Sequence, residues 1–257
     1  MTELPQGFTV HVANMGIKDD TDDVMVLNCE TSATAAGVFT RSRFAGPSVT
    51  ISRQHISSGT VRAVTVISKN ANVATGDTGL ANATEITQLV ATAIDADPSD
   101  VIIGSTGVIG VQYPMERIRS HLTALQTPFL ERSVEVAASA IMTTDTHPKV
   151  ASAVAGPATV VGFAKGVGMI EPDMATMIAV IATDADISTD HLNQIFRRVV
   201  DRTFNALSID TDTSTSDMAV VLASGIAGPV DDIQFEAALS DVCLDLTRQL
   251  AADGEGA

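Results

Sequence analysis

The chain has 257 residues and sets 15 Lys and Arg against 31 Asp and Glu, a formal net charge of −16 at pH 7. That charge repels phosphate backbones and argues against a nucleic-acid partner, and no apolar run approaches the ~18 residues of a membrane span. Hydrophobic residues make up 45% with no Trp and one Tyr, so a sizeable core has to be built from Ala, Val, Ile, Leu and Met.

The opening MTELPQGFTV has neither the basic nor the apolar region of a secretory signal. Cys29 and Cys243 stand alone in apolar surroundings and read as reduced core residues, so a globular cytoplasmic protein is expected. Apolar stretches at 8–12 and 24–27 flank the acidic turn Asp19 to Asp23 and read as paired strands with a solvated connection. Further strands are expected at 35–39 and 49–51, followed by a short helix at 53–58 stopped by Gly59. The alternating, β-branched run 61–68 predicts a strand. It leads into residues 69–76, a loop too rich in Asn and Gly to be core.

Ile86, Leu89, Val90, Ala93 and Ile94 share one face of an amphipathic helix over 82–95. A short buried strand at 101–104 then opens into Ser105-Thr106-Gly107. Helices follow at 116–125 and 130–142, the second broken by a Thr cluster and Pro148. A strand at 158–163 enters the stretch around which the chain is organised, residues 164–186. This stretch has a Gly-spaced loop (Lys165, Gly166, Gly168), a Pro172 turn, the small step Met174-Ala175-Thr176, and a buried strand from Met177 to 182. A helix capped by Ser188 or Thr189 runs to 207, then a polar tract at 210–217, a strand at 218–223 and a helix over 232–252. No repeat or linker divides the chain. Strands and helices mix without regular βαβ alternation, which predicts a layered α/β fold with mixed or antiparallel sheets.

Four positions could carry chemistry. Thr176 enters a core strand behind a small residue. A Thr hydroxyl becomes a strong nucleophile when it is an N-terminus whose own α-amine takes the proton, although Thr is also an ordinary strand-starting residue. Thr106 beside Gly107 suits an oxyanion hole or a plain strand-to-loop turn. The hydroxyls of residues 143–146 could bind an amino acid or simply end a helix. Lys165 suits a carboxylate or phosphate, or is a surface charge. Gly166 and Gly168 lack the third glycine and following helix of a dinucleotide site. The tract 210–217 lacks the glycine and terminal glutamate of an EF-hand and reads as a solvated or capping loop. The five His residues show no ligand spacing, so no metal is expected.

Taken together, longer stretches go further. KGVGMIEPDMATM (165–177) resembles the self-cleavage motif of the ornithine acetyltransferase family, also called glutamate N-acetyltransferase. NANVATG (70–76), STGVIG (105–110), IMTTDT with Pro148-Lys149, RTFNALSIDTDTSTSD (202–217) and DGEGA (253–257) resemble further motifs of that family, so the resemblance spans most of the chain.

The resemblance implies a layered fold like that of N-terminal-nucleophile hydrolases, shared with the β-aminopeptidases. It implies a cut between Ala175 and Thr176, giving an α segment (1–175) and a β segment (176–257). Thr176 is then the nucleophile, Thr106 and Gly107 form the oxyanion hole, and Thr143, Lys165, Thr176 and Glu255 hold substrate. The implied reaction is ping-pong: N-acetylornithine donates its acetyl group to Thr176, and glutamate takes it. No cofactor is implied, although some members accept acetyl-CoA, and the α and β segments are expected to associate into oligomers of αβ units. Asp173 stands where many members have Asn. The family pattern continues beyond residue 257 with C-terminal strands and a polar substrate-binding pair, so a fragment or shortened member is expected. An amidase or aminopeptidase of the same fold, passing the acyl group to water, and a truncated inactive remnant are the alternatives.

Overall fold

Runs of Val, Ile and Ala at strand length build one mixed sheet in the computed structural model, which describes residues 2–170, 177–210 and 212–255. The strands are β1 (Phe8–Ala13), β2 (Val24–Phe39), β3 (Thr60–Ile67), β4 (Val101–Ser105), β5 (Lys149–Ala155), β6 (Ala158–Lys165), β7 (Ile178–Asp186) and β8 (Met218–Pro229). Their order across the sheet is β4-β3-β2-β8-β7-β6-β5, with β1 also paired to β2. The β3–β4 and β7–β8 pairs are parallel and the rest antiparallel. Between them run α1 (Pro47–His55), α2 (Gly76–Ala93), α3 (Met115–Thr123), α4 (Val134–Ala140), α5 (Thr189–Arg202) and α6 (Asp232–Ala252).

Side chains of successive strand residues point to opposite faces, and this period divides the core into three zones. Val160, Ala179, Ile181 and Val221 pack under α5 and α6, against Phe196, Phe235, Leu239 and Leu246. Their neighbours Val161, Phe163, Val180, Val220 and Leu222 turn the other way. They meet Met25, Leu27, Val64 and Val66 from the other half of the sheet, with Ala137 and Ala138 of α4 completing the zone. On the far side of that half, Val26, Ala63 and Ile103 pack against α2 and α3 through Ile86, Val90, Ile118 and Leu122. The sheet therefore folds over on itself, giving helix, sheet, sheet and helix layers. This is the layered, mixed-sheet fold expected from the sequence.

Several elements differ from expectation. The strands expected at 24–27 and 35–39 are one 16-residue strand, with a register shift between Asn28 and Ala33. Residues 49–51, expected as a strand, lie in α1, which starts with Pro47 at its first turn. Ser52 Oγ donates to Ile103 O at 2.7 Å and accepts from Ile103 N at 2.8 Å, so this helix satisfies the edge of β4. β5 was not anticipated beyond Pro148; it is an outer strand with one half-exposed face, as its Ala- and Ser-rich sequence allows.

The loop at 69–76 is the largest surprise, because Asn70, Ala71, Asn72 and Val73 are all buried. Its polarity is used internally. Asn72 N donates to Asn70 Oδ1 at 2.8 Å, Asn72 Nδ2 donates to Gly79 O at 2.9 Å, and Thr75 Oγ1 donates to Asn72 Oδ1 at 2.9 Å. Asparagine side chains replace the ladder bonds that a buried backbone needs. Cys29 and Cys243 are buried and unpaired, and among the described residues no helix is long and apolar enough to cross a membrane.

Phe163 joins the two halves of the sheet from a fully buried position. Phe163→Ala is expected to cost about 3–5 kcal/mol, measured as a loss of unfolding free energy in urea with the m-value unchanged.

Candidate active site

Thr106, Gly107, Thr143, Lys165 and Glu255 line one cleft of about 1020 Å³. They come from four separate parts of the chain. Thr106 and Gly107 follow β4, Thr143 follows α4, Lys165 ends β6, and Glu255 lies beyond α6. Ala175 and Thr176, expected at the cut, lie outside the described residues. Their neighbour Met177 is described, and Ile178 pairs with Lys165 across the β6–β7 ladder.

The loop after β4 is shaped by what lies behind it. Gly107 has φ +129°, and a Cβ there would sit 2.2 Å from the Lys69 carbonyl carbon. Since backbone cannot yield that far, the position accepts only glycine. Behind Thr106, the hydroxyls of Ser48 and Tyr113 both bond Ser105, and burial pushes the Tyr113 phenol up to about 12. Lys69 itself is tied down by the Asp19 carboxylate and Thr21 O, so the acidic turn at 19–23 forms part of the cleft wall.

Lys165 was expected in a Gly-rich loop; it is instead the last residue of a strand and only 3% exposed, which removes the surface-charge alternative. Its Nζ donates to Thr106 Oγ1 at 3.2 Å. An ammonium has no acceptor capacity, so the Thr106 hydroxyl is left to donate its own proton elsewhere. Burial pushes the Lys165 ammonium below the usual lysine range, while the Asp145 carboxylate at 4.0 Å pulls it back up.

Asp145, read in the sequence only as part of a hydroxyl-rich turn, is the hub of the site. Its carboxylate accepts from Lys149 Nζ at 2.8 Å, Gly166 N at 2.7 Å and Thr143 N at 3.1 Å. Burial would raise its pKa, but the Lys165 charge and these donors outweigh it and hold the group below the ordinary value. Fully buried Lys149 also donates to Asp253 Oδ2 at 2.6 Å. Asp253, held down to about 2 against its own burial, accepts from Thr146 N at 3.1 Å. Two residues on, Glu255 N bonds Val167 O at 2.7 Å, and the Glu255 carboxyl lies over Gly168, where a Cβ would come within 2.9 Å of it.

The polar tract after α5 is not simply solvated. Asp210 accepts from Ile170 N at 2.7 Å and from Met169 N, while Asp217 accepts from Met177 N at 2.9 Å. These carboxylates hold the chain on both sides of residues 171–176. Asp217 is fully buried, and burial raises it to about 8 despite the Ser214 hydroxyl, the Met177 N–H and Lys165. An acidic tract directly before a strand was the available signal for this role. Among the described residues no group of three or more His, Cys, Asp or Glu side chains could hold a metal ion.

Comparison with known proteins places these residues in context. The model of the ArgJ family matches residues 9–257. The chain is 54% identical over 256 residues to glutamate N-acetyltransferase Oat2 of Streptomyces clavuligerus, covering 99% of this chain and 65% of that protein. It is 52% identical over 256 residues to the arginine biosynthesis bifunctional protein ArgJ 2 of Nostoc, covering 100% of this chain and 66% of that one. The chain thus spans about 65% of the length of the curated relatives it matches. Among solved structures, ornithine acetyltransferase from Mycobacterium tuberculosis, in complex with ornithine, matches at 28% identity and TM-score 0.56 over 65% of this chain and 92% of its own. An ArgJ protein from Bacillus halodurans matches at 27% identity and TM-score 0.57, over 68% and 95%. A β-aminopeptidase from Burkholderia, at 13% identity and TM-score 0.52 over 99% of this chain and 89% of its own, shares the fold.

The buried charges give a stability test. Lys149→Met leaves two buried carboxylates without their shared cation and is expected to cost about 3–5 kcal/mol, read from urea unfolding at pH 7. Because Asp145 and Asp253 are held below their ordinary values, their contribution is complete above about pH 4 and is lost as pH falls toward 2. The gap between wild type and variant should narrow over that window.

Proposed function

The chain belongs to the ArgJ family, and from that premise we propose that it carries the self-cleaving acyl-transfer site of a glutamate N-acetyltransferase. In this reading the Ala175–Thr176 bond is cut, Thr176 becomes the nucleophile, and its freed α-amine is the base. N-acetylornithine gives its acetyl group to the Thr176 hydroxyl, ornithine leaves, and the amine of glutamate takes the acetyl group. Thr106 and the Gly107 N–H stabilise the oxyanion, and Lys165, Thr143 and Glu255 hold the amino-acid substrate. The chemistry needs no cofactor.

The observation that carries the proposal is the convergence of Thr106, Gly107, Thr143, Lys165 and Glu255 on one cleft, with Lys165 paired to Ile178, two residues after Thr176. A Thr hydroxyl donor backed by a buried ammonium, beside an irreplaceable glycine, is suited to developing negative charge in a water-poor site.

The segments should stay together after cleavage. β6, before the cut, pairs with β7 after it through six residue pairs, and β2 pairs with β8 through another six. We place this αβ unit in the cytoplasm, where buried, unpaired Cys29 and Cys243 remain reduced, and expect it to assemble further.

Mass spectrometry of the purified chain should give two fragments, the second beginning at Thr176, while Thr176→Ala should remain one inactive chain. A single wild-type chain that transfers acetyl groups at full rate would sink the mechanism. Ornithine release from N-acetylornithine should require glutamate; release without it identifies an amidase instead.

The oxyanion assignment makes a separate forecast. Thr106→Ala should slow acetyl transfer by roughly 10²–10³-fold with little change in apparent KM, whereas Lys165→Ala should act mainly on apparent KM. Steady-state kinetics on both variants will separate the two roles.

A further inference from the structure

We propose that His11 and His121 form an acid-sensitive latch: a proton held between them fastens β1 to α3 beside the cleft, and full protonation of both rings releases it. The device goes beyond the acyl-transfer reading and holds whatever reaction the cleft carries.

Geometry defines the latch. His11 lies on β1 and His121 in the last turn of α3, and their Nε2 atoms are 3.0 Å apart. The ring centroids are 5.3 Å apart, about one ring's width more than the nitrogens. Both nitrogens therefore lie near the line joining the ring centres, and the rings meet head to head, not face to face. In that pose one Nε2 carries the proton and the other accepts it. With both Nε2 atoms protonated, N–H faces N–H and charge faces charge, so the contact is lost. Ligands of a metal ion would aim at a common point to one side of that line, and among the described residues no third His, Cys, Asp or Glu completes a metal site with them.

The surroundings oppose charge on the pair. Both rings are half-buried, and the Phe129 ring lies against His11 with centroids 5.4 Å apart. Burial holds both below the ordinary histidine value, and for His11 the neighbouring His121 adds to it. From the acidic turn, Asp22 draws a proton back toward His11 and Asp23 toward His121, by less than burial takes away. Asp23 is itself committed to Met15 N at 2.7 Å and Ile17 N at 2.8 Å. The other charged groups nearby have partners of their own. On α3, Arg119 pairs with Glu85 of α2 and Arg117 donates to Gly16 O. Glu131, beyond Phe129, accepts from Arg132 N and Ser133 N. Glu135 of α4 accepts from Thr2 N at 2.9 Å, and β2 sets only Val26 opposite His11.

The latch joins two supports of the cleft. Past β1 the chain runs into residues 14–23, where Asp19 and Thr21 O hold Lys69 on the cleft wall. Two residues before α3, the Tyr113 hydroxyl bonds Ser105, the residue before Thr106. Freeing α3 from β1 therefore slackens the acidic wall and the backing of the Thr106 loop together. The sign follows from proton linkage. The closed pair binds its last proton less readily than two separate histidines, so the closed form is fully favoured above about pH 7.5 and gives way as pH falls below about 6.5. Each unit of depression is about a tenfold loss in the closed-to-open ratio.

The test is histidine-ring NMR of the full chain from about pH 8 to 4.5, with His11→Gln and His121→Gln assigning the two signals. In wild type the pair should titrate in two coupled steps, the second at least one unit below the ordinary value. In His121→Gln, which keeps a donor without a charge, His11 should titrate in one step nearer that value. Amide hydrogen exchange, corrected for intrinsic rates, supplies the second readout. Protection of α3 relative to β7 should fall about tenfold between pH 7.5 and 5.5 in wild type and stay level in His121→Gln. Independent single steps near the ordinary value, or α3 protection that holds through the second step, overturn the proposal. Should the glutamine variants fail to fold, the wild-type titration and its exchange profile decide by the same criteria. Neither measurement involves acetyl transfer, so the outcome is separate from that of the function above.

Discussion

Burying one ammonium sets the arrangement of this site. Lys149 is fully buried, and an unpaired charge at that depth is too costly to keep, so two carboxylates must meet it. One, Asp145, comes from the turn after α4; the other, Asp253, comes from the end of the last helix. Satisfying the lysine thus draws together segments more than a hundred residues apart in sequence. Asp145 also accepts from Gly166 N and faces Lys165, so the same carboxylate fixes the end of β6. Such pairs add little net stability over an apolar core, yet an arrangement that breaks them is strongly penalised. Their value here is registry: Thr143, Lys165 and Glu255 reach one cleft because Asp145, Lys149 and Asp253 have to meet.

The sheet explains why a chain with this topology would tolerate being cut. The masking of a bond by structure is greatest inside a strand, and the proposed cut instead lies just before β7. On either side, ladder hydrogen bonds cross from the first segment to the second along two separate strand pairs, β6–β7 and β2–β8. Both apolar zones flanking β7 and β8 contain residues from each segment. Covalent continuity is therefore not what holds the layers together. Cleavage would change the chemistry of one nitrogen, from amide to amine, while leaving almost all burial as it was.

What the sequence disclosed followed from how locally each feature is determined. The last helix was read to its limits, 232–252, because its stripe of Phe235, Leu239, Val242, Leu246 and Leu250 repeats at helical spacing. Asp231, at the N-cap, then accepts from Ile233 N and Gln234 N. The β7 strand was equally plain. Residues 49–51 misled because Val49, Thr50 and Ile51 are β-branched, whereas what decides their state is distant: the Ser48 and Ser52 hydroxyls bonded to β4. The buried loop at 69–76 misled for a related reason, since composition says nothing of whether asparagines bond inward or outward. Thr106, Gly107, Thr143, Lys165 and Glu255 were legible as motif residues. Asp145, Lys149, Asp253 and Asp217 were not, because their roles exist only when remote partners are in place.

Charge is distributed unevenly through the cleft, and the pattern bears on what it would admit. Asp19, Asp20, Asp22, Asp210, Asp212 and Glu255 are exposed at its rim, whereas Lys165 is buried at its floor. Of the remaining cations, Lys69 is already committed to Asp19. A ligand with a carboxylate at one end and an ammonium at the other therefore has a preferred direction, carboxylate toward Lys165 and ammonium toward the rim. Under the proposed reading N-acetylornithine is such a molecule, carrying a free carboxylate and a side-chain ammonium. Glutamate has a second carboxylate in place of that ammonium and meets the same acidic rim. The two half-reactions would then differ in how the rim treats the substrate. It would favour the donor by attraction, and it would accept the acceptor only where Lys18 and screening by salt offset the repulsion.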